Sequence, residues 1–316
     1  MSGSPTIVTL AMNPAIDADF EVEQVAPLHK LRCSAERYQP GGGGINVASV
    51  IVRLGGTAVC HYISGGATGA TLERLLDRHA FAHRAIPVAG STRIACNVVE
   101  TATGREFRFV PPGPTLAEPE WRGALAALEE AQGEWLVASG SLPPGAPDDF
   151  YARVARVARN RGMRVVLDTS HEPLREGLAA GSIHLVKPSE EELEQFVGRK
   201  LSTLEEIGGA AMEIVAAGHA ELVAVTLGAE GGILAARDGW RGLPAFAVEA
   251  RSAVGAGDSF VAAMVLKLAL GWAAFEAFRY GMAAGAAAVM TPGTEMCHPA
   301  DVERLYRESL AKENGG

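Results

Sequence analysis

The stretch "EWLVASGSLPPGAPDDFYARVARVARNRGMRVVLDTS", Glu134 to Ser170, decides the fold. It opens on "EWLVASGS", an apolar run short enough for a buried strand. "DDFYARVARVARNRG" then spaces its apolar residues at helical intervals, and "RVVLDTS" returns to a short apolar run. The alternation continues through a short helix, strand "IHLVKPS", helix "EEELEQFVG", helix "LEEIGGAAMEIVAAG" and strand "ELVAVTLG". Upstream, "TIVTLAMN" and "TAVCHYISGG" read as strands, and "INVASVIVRLGG" sets Val47, Val50, Ile51 and Leu54 on one helical face before a glycine stop. "TLERLLDRHA" groups Leu72, Leu75, Leu76 and His79 in the same way. Strand–helix alternation of this kind predicts an α/β fold with a mostly parallel sheet covered on both faces.

Two segments depart from the pattern. "IDADFEVEQVAPLHKLRCSAERYQ" and "TRIACNVVETATGREFRFV" carry alternating, β-rich stretches with turn signals and no helix between them. They predict four strands of a small antiparallel sheet, at about 15–39 and 92–110, with one face left for a ligand or a second subunit to cover. A lid over an active site is the expected role, within a single domain spanning 1–316.

Composition narrows the function. Hydrophobic residues are 48% and charged residues 21%, enough for a sizeable core. A net charge of −9 disfavours nucleic acid and anionic lipid as partners. Cys33, Cys60, Cys96 and Cys297 are scattered without CxxC spacing, which fits free thiols in a reducing compartment. "MSGSPTIVTLAMNP" has no basic segment ahead of an apolar core, and Lys267, Glu276 and Arg279 interrupt the greasy region 261–290. A cytoplasmic protein without a membrane span is expected.

Ligands of open α/β sheets bind beyond the carboxyl ends of the strands. There the sequence has no GxxxxGK[ST], HExxH or GxSxG. It does have "SAVGAGDSF", Ser252 to Phe260, which sets Asp258 in the first turn of an apolar helix behind a Gly255–Ala256–Gly257 turn. That carboxylate reads either as a helix cap or as a base beside N–H groups that hold an anion. Phosphoryl transfer needs such a pair, a base for the attacking hydroxyl and donors for the transferring group. "PGGGGINVA", Pro40 to Ala48, opens another helix with four glycines and allows close approach of a polyhydroxy ligand or phosphate. Asn46 either bonds sugar hydroxyls or caps locally, and Asp17 in "NPAID" is either a turn residue or an acceptor for two hydroxyls. Ser189 and Glu192 in "KPSEEEL" form a capping box, for which the structural reading prevails. Asp168 ends a buried strand, a common place for a Mg²⁺ ligand, and "VTLGAEGG" suits nucleotide phosphates.

Together, "GGGGINVA" and "GAGDSF" resemble the two signatures of the ribokinase-like (PfkB) carbohydrate kinases, and the likeness runs from "LAMNPAID" to "AAGAAAVMTPGT". Within that family, "KLRCSAERYQPGGGGINVA", "SGGATG", "TR", "FRFVPPG" and "SGSLPPG" are most similar to the bacterial ATP-dependent 6-phosphofructokinases of PfkB type. The resemblance implies a three-layer α/β sandwich whose β lid clasps that of a second copy in a homodimer. It implies Asp258 as the base and the turn Gly255, Ala256, Gly257 as the anion hole. Asp17, Gly42, Gly43 and Asn46 would grip the sugar, and Arg93, Arg108 and Ser141 would face its phosphate. Lys30 and Arg32, otherwise solvated surface charges, could reach that phosphate across the dimer. Lys187, Ser189, Thr226 and Gly228 would lie toward the nucleotide, with Asp168 and Glu192 toward Mg²⁺. The family's N-x-x-E motif stands here as Ser189-Glu-Glu-Glu192, so Mg²⁺ binding is expected to persist in altered form. Many members carry Asp where this chain has Ser252, beside the place of a monovalent cation such as K⁺.

The expectation is transfer of the ATP γ-phosphate to the C1 hydroxyl of fructose 6-phosphate. The alternatives are tagatose 6-phosphate or fructose 1-phosphate as acceptor, and a silent sugar-phosphate sensor, which would not need Asp258 with its glycine turn.

Overall fold

Seven strands run parallel because each is joined to the next by a crossover that packs a helix on the sheet. In a computed structural model, which describes residues 5–314, the chain begins with β1 (Thr6–Ala11), β2 (Ala15–Val22), β3 (Ala35–Gly41) and α1 (Gly43–Arg53). Next come β4 (Thr57–Ser64), α2 (Gly66–Leu76), β5 (Ala82–Pro87), β6 (Arg93–Glu100), β7 (Arg105–Phe109) and α3 (Glu118–Glu129). The regular alternation covers β8 (Trp135–Ser139), α4 (Phe150–Asn160), β9 (Arg164–Asp168), α5 (His171–Ala179), β10 (Ile183–Val186), α6 (Glu190–Val197), α7 (Leu204–Ala216) and β11 (Ala220–Thr226). A hairpin, β12 (Gly232–Ala236) and β13 (Gly239–Leu243), precedes α8 (Ala256–Ala269), α9 (Ala274–Val289) and α10 (Pro299–Asn314). Met1–Ser4, part of the stretch read for a leader, lie outside the described residues.

The large sheet has the order β13-β12-β11-β10-β9-β8-β1-β4-β5, with β12 and β13 antiparallel at one edge. Its two faces bury separate cores. Val47, Val50 and Ile51 of α1 join Phe260, Val261 and Met264 of α8 and the alanines of α9 on one side. Trp121, Phe150, Val154, Leu174 and Ile214 from α3, α4, α5 and α7 fill the other. The fold is therefore a three-layer α/β sandwich. Helix α2 stops at Leu76, so His79 falls in the turn beyond it. No helix of the described residues is long and apolar enough to cross a membrane.

The small sheet has the order β3-β2-β6-β7. Both expected hairpins are antiparallel, and the two meet through a parallel pair, Ala15↔Arg93 to Val22↔Glu100. The pleat sorts its side chains. One face carries Asp17, Asp19, Asn97, Glu106 and Arg108, and it meets the body where Thr294 Oγ1 donates to Asp19 Oδ2 (2.8 Å) and Ser252 Oγ donates to Glu106 Oε2 (3.2 Å). The other face aligns Tyr38, Ala18, Cys96 and Phe109 in one row and Ile16 and Ile94 in the next. Tyr38, Ile94 and Phe109 on that face are exposed, Phe109 by 59%.

Candidate active site

Asp258 lies in the first turn of α8, behind Gly255, whose φ of 73° is the left-handed conformation glycine adopts without steric cost. Its carboxylate does not cap the helix. Asn46 Nδ2, from α1, donates to Asp258 Oδ2 at 2.8 Å. Burial and the nearby Asp168 charge push the Asp258 carboxyl up to about 7, against the Asn46 hydrogen bond and Lys187, which favour ionisation. The first N–H groups of α8 have no acceptor within the helix. A Cβ on Gly257 would sit 3.7 Å from both Cε and Nζ of Lys187, so the lysine reaches the start of α8.

Lys187 directly follows β10 and is almost wholly buried. Burial works against its charge, but Asp168 Oδ1 at 3.1 Å outweighs that and holds its pKa above the ordinary lysine value. Ser139 Oγ donates to the other Asp168 oxygen at 3.2 Å. A Cβ on Gly43 would strike Ser139 Oγ at 2.2 Å, so glycine there lets α1 abut the end of β8. The result is a closed ring above the strand ends: Asn46, Asp258, Lys187, Asp168, Ser139 and Gly43. Its cationic member is fixed by an ion pair, and its least acidic carboxylate sits at a helix N-terminus.

Beside the ring, Asp17 projects from β2 and its carboxyl is pushed up to about 6 by burial, an effect that the charges of Arg108 and Arg93 oppose. A Cβ on Gly41 would lie 2.1 Å from Asp17 Oδ2, so the glycine run packs directly on this carboxylate. Gly42, with φ of 109°, precedes α1. Arg93 donates to Pro111 O (2.9 Å) and Asn13 O (2.7 Å), while Asn13 Nδ2 donates to Ser141 Oγ (3.3 Å). Asn13 therefore gathers Arg93 and Ser141. The sequence alone assigns Asn13 no role, because nothing in its local spacing distinguishes it.

On the far side, Ser189 and Glu192 make the reciprocal capping box, Ser189 N to Glu192 Oε2 at 2.8 Å and Glu192 N to Ser189 Oγ at 3.2 Å. Thr226 N donates to Pro188 O (3.2 Å), and Gly228, at φ of 57°, opens the short turn beyond β11. Lys30 and Arg32 sit in the exposed β2–β3 loop and form no ion pair with any described residue. Among the described residues no three His, Cys, Asp or Glu side chains form a metal cage.

A model of the pfkB family carbohydrate kinases matches residues 7–301. The chain belongs to that family. Its PfkB relatives include the ATP-dependent 6-phosphofructokinase isozyme 2 of Mycobacterium tuberculosis, 43% identical over 96% of this chain and 90% of that protein. Phosphofructokinase-2 from Escherichia coli is 37–38% identical and superposes over 97% of this chain and 99% of its own. Its TM-score is 0.93 in complex with potassium, and 0.92 both with fructose-6-phosphate and in a tetrameric inhibited form. D-tagatose-1-phosphate kinase from Bacillus licheniformis is 33% identical over 91% of this chain and 93% of that protein.

Proposed function

We propose that this PfkB kinase transfers the γ-phosphate of ATP to the C1 hydroxyl of fructose 6-phosphate, giving fructose 1,6-bisphosphate and ADP. The observation that carries the reading is Asp258, a carboxylate held near neutrality at a helix N-terminus beside Lys187, with Arg93, Arg108 and Ser141 clustered near the neighbouring Asp17.

Asp258 takes the proton of the C1 hydroxyl while its oxygen forms the new bond to phosphorus and the bond to ADP breaks. Asn46 holds the carboxylate in place. The N–H groups of Gly255, Ala256 and Gly257, with Lys187, receive the charge of the transferring group. Asp17, Gly42, Gly43 and Asn46 grip the sugar hydroxyls. Arg93, Arg108 and Ser141 bind the 6-phosphate. Lys187, Ser189, Thr226 and Gly228 flank the nucleotide.

The carboxylates suited to Mg²⁺ are Glu192 and Asp168, and two suffice because this ion keeps waters and substrate phosphates as its other ligands. Mg²⁺, when bound, offsets the phosphate charge. A monovalent cation such as K⁺ is proposed to bind near Ser252. The E. coli complex with potassium supports this.

The small sheet acts as a lid, and its apolar outer face pairs with the same face of a second copy. Lys30 and Arg32, which form no ion pair with any described residue of their own chain, then approach the partner's acceptor site.

Initial rates with ATP and Mg²⁺ across fructose 6-phosphate, tagatose 6-phosphate, fructose 1-phosphate and fructose test the reading. Fructose 6-phosphate is expected to win, with Asp258→Asn losing about 10²–10⁴-fold in kcat while still binding sugar phosphate. Preference for another sugar phosphate would move the substrate. Binding without turnover in the wild type would make the chain a sensor.

A further inference from the structure

A groove of about 590 Å³ runs outward from Arg93, Asn13 and Ser141 to the start of α5, where Thr169, Ser170 and His171 form its far wall. That wall is built unusually. His171, the first residue of α5, has φ of 56°, a left-handed conformation that strains a residue with a Cβ and costs glycine nothing. Ser170 occupies the N-cap of this helix, yet its hydroxyl makes no capping hydrogen bond. Thr169 is 6% exposed, and its Oγ1 is buried without a hydrogen-bond partner, although buried hydroxyls are ordinarily satisfied. Arg93 Nε at the opposite wall is likewise buried and unpartnered. Strain and unmet polar groups gathered at one cleft mark a place where a ligand completes the bonding.

The charges around the groove indicate which ligand. Arg175 of α5 is engaged by Glu172 and Glu176, and Asp148, the carboxylate on the groove, acts on Arg175 as well. The basic residues on the groove are Arg93 and His171, and the hydroxyl-bearing residues Ser141, Thr169 and Ser170 belong to the same lining. Such a set fits a phosphate monoester, which offers several acceptor oxygens and no donors at neutral pH.

We propose that Thr169 and His171 extend the acceptor site and bind the sugar's phosphate from the side opposite Arg93, making His171 a determinant of the preference for phosphorylated over free sugar. The proposal rests on the kinase reading above for its substrate. Ser170 contributes its uncapped hydroxyl to the same wall. His171 stands between this groove and a second cavity lined by Glu172, Glu192 and Gln195, and its backbone strain is repaid when the phosphate binds.

His171→Gly is the informative variant, because glycine relieves the strain and leaves folding intact. The KM for fructose 6-phosphate is expected to rise about tenfold, the loss of one charge-assisted hydrogen bond, with kcat and the KM for ATP unchanged. The ratio of kcat/KM for fructose 6-phosphate over fructose should fall by the same factor, and Thr169→Val should lower it too. An unchanged ratio in His171→Gly overturns the proposal. Titration with inorganic phosphate, read by thermal shift, tests the site without turnover. If the wild type phosphorylates no ketohexose phosphate, the kinase reading fails, and this titration decides alone. Weaker phosphate binding by the variant then upholds the proposal, and equal binding overturns it.

Discussion

At the scale of single residues, the site depends on two carboxyls kept from ionising easily, Asp17 at about 6 and Asp258 at about 7, each mainly by burial. Both must be ionised to accept protons or hydroxyl hydrogens. The kcat/KM for fructose 6-phosphate should therefore rise with pH and level off above neutrality, falling on the acid side with a slope approaching two protons. Asp17→Asn should reduce that slope toward one. Stability has the opposite sign. A carboxyl whose folded pKa lies above its unfolded value of 3.8 stabilises the fold at low pH, and that contribution is lost as pH rises toward 7. Asp258→Asn should consequently be inactive yet melt above the wild type at pH 8, a trade of activity for stability seen at strained sites. Asp258 was legible in the sequence because a carboxylate behind a glycine turn and before an apolar helix has few readings. The Asp168–Lys187 pair was not legible as a pair, because adjacency of two strand ends depends on sheet order.

At the scale of elements, glycines set how closely α1 and the small sheet approach the strands. Gly41→Ala would push a methyl group into the Asp17 carboxylate, since its Cβ falls 2.1 Å from Oδ2. The KM for the sugar phosphate should rise by about tenfold or more, with the KM for ATP little changed, and steady-state kinetics would show the split. The sequence offered the glycine run as room for a ligand or phosphate, and its packing on Asp17 left no local signal. Helix α3 went unread, although Trp121, Ala124 and Leu128 lie at helical spacing, because its flanks carry proline and no hydroxyl cap. The four strands of the small sheet were legible from alternation, but the parallel join of β2 to β6 was not, since pairing of distant segments leaves no local pattern.

At the scale of the whole molecule, the exposed row of Tyr38 and Phe109 with Ile94 beside it is an apolar face on a chain otherwise charged at −9. In the proposed dimer, Phe109→Asp should shift the equilibrium toward monomer in sedimentation experiments. Activity should then fall with dilution, because Lys30 and Arg32 would be lost from the neighbouring site. The parallel sheet with its two helical layers was legible from the alternation after Glu134, where each strand and helix has its own apolar period.

The parallel join between β2 and β6 also orders the birth of the molecule. Ala15 meets Arg93 only across the segment that holds β3, α1, β4, α2 and β5, so this pairing closes a long loop, though a shorter one than the β1–β8 pairing. The small sheet can therefore close once the chain has reached Phe109, before β8 to β11 exist. A nascent chain would carry its β2–β3 hairpin unattached until the ribosome had passed Phe109, and its large sheet would stay incomplete until β8 to β11 had followed.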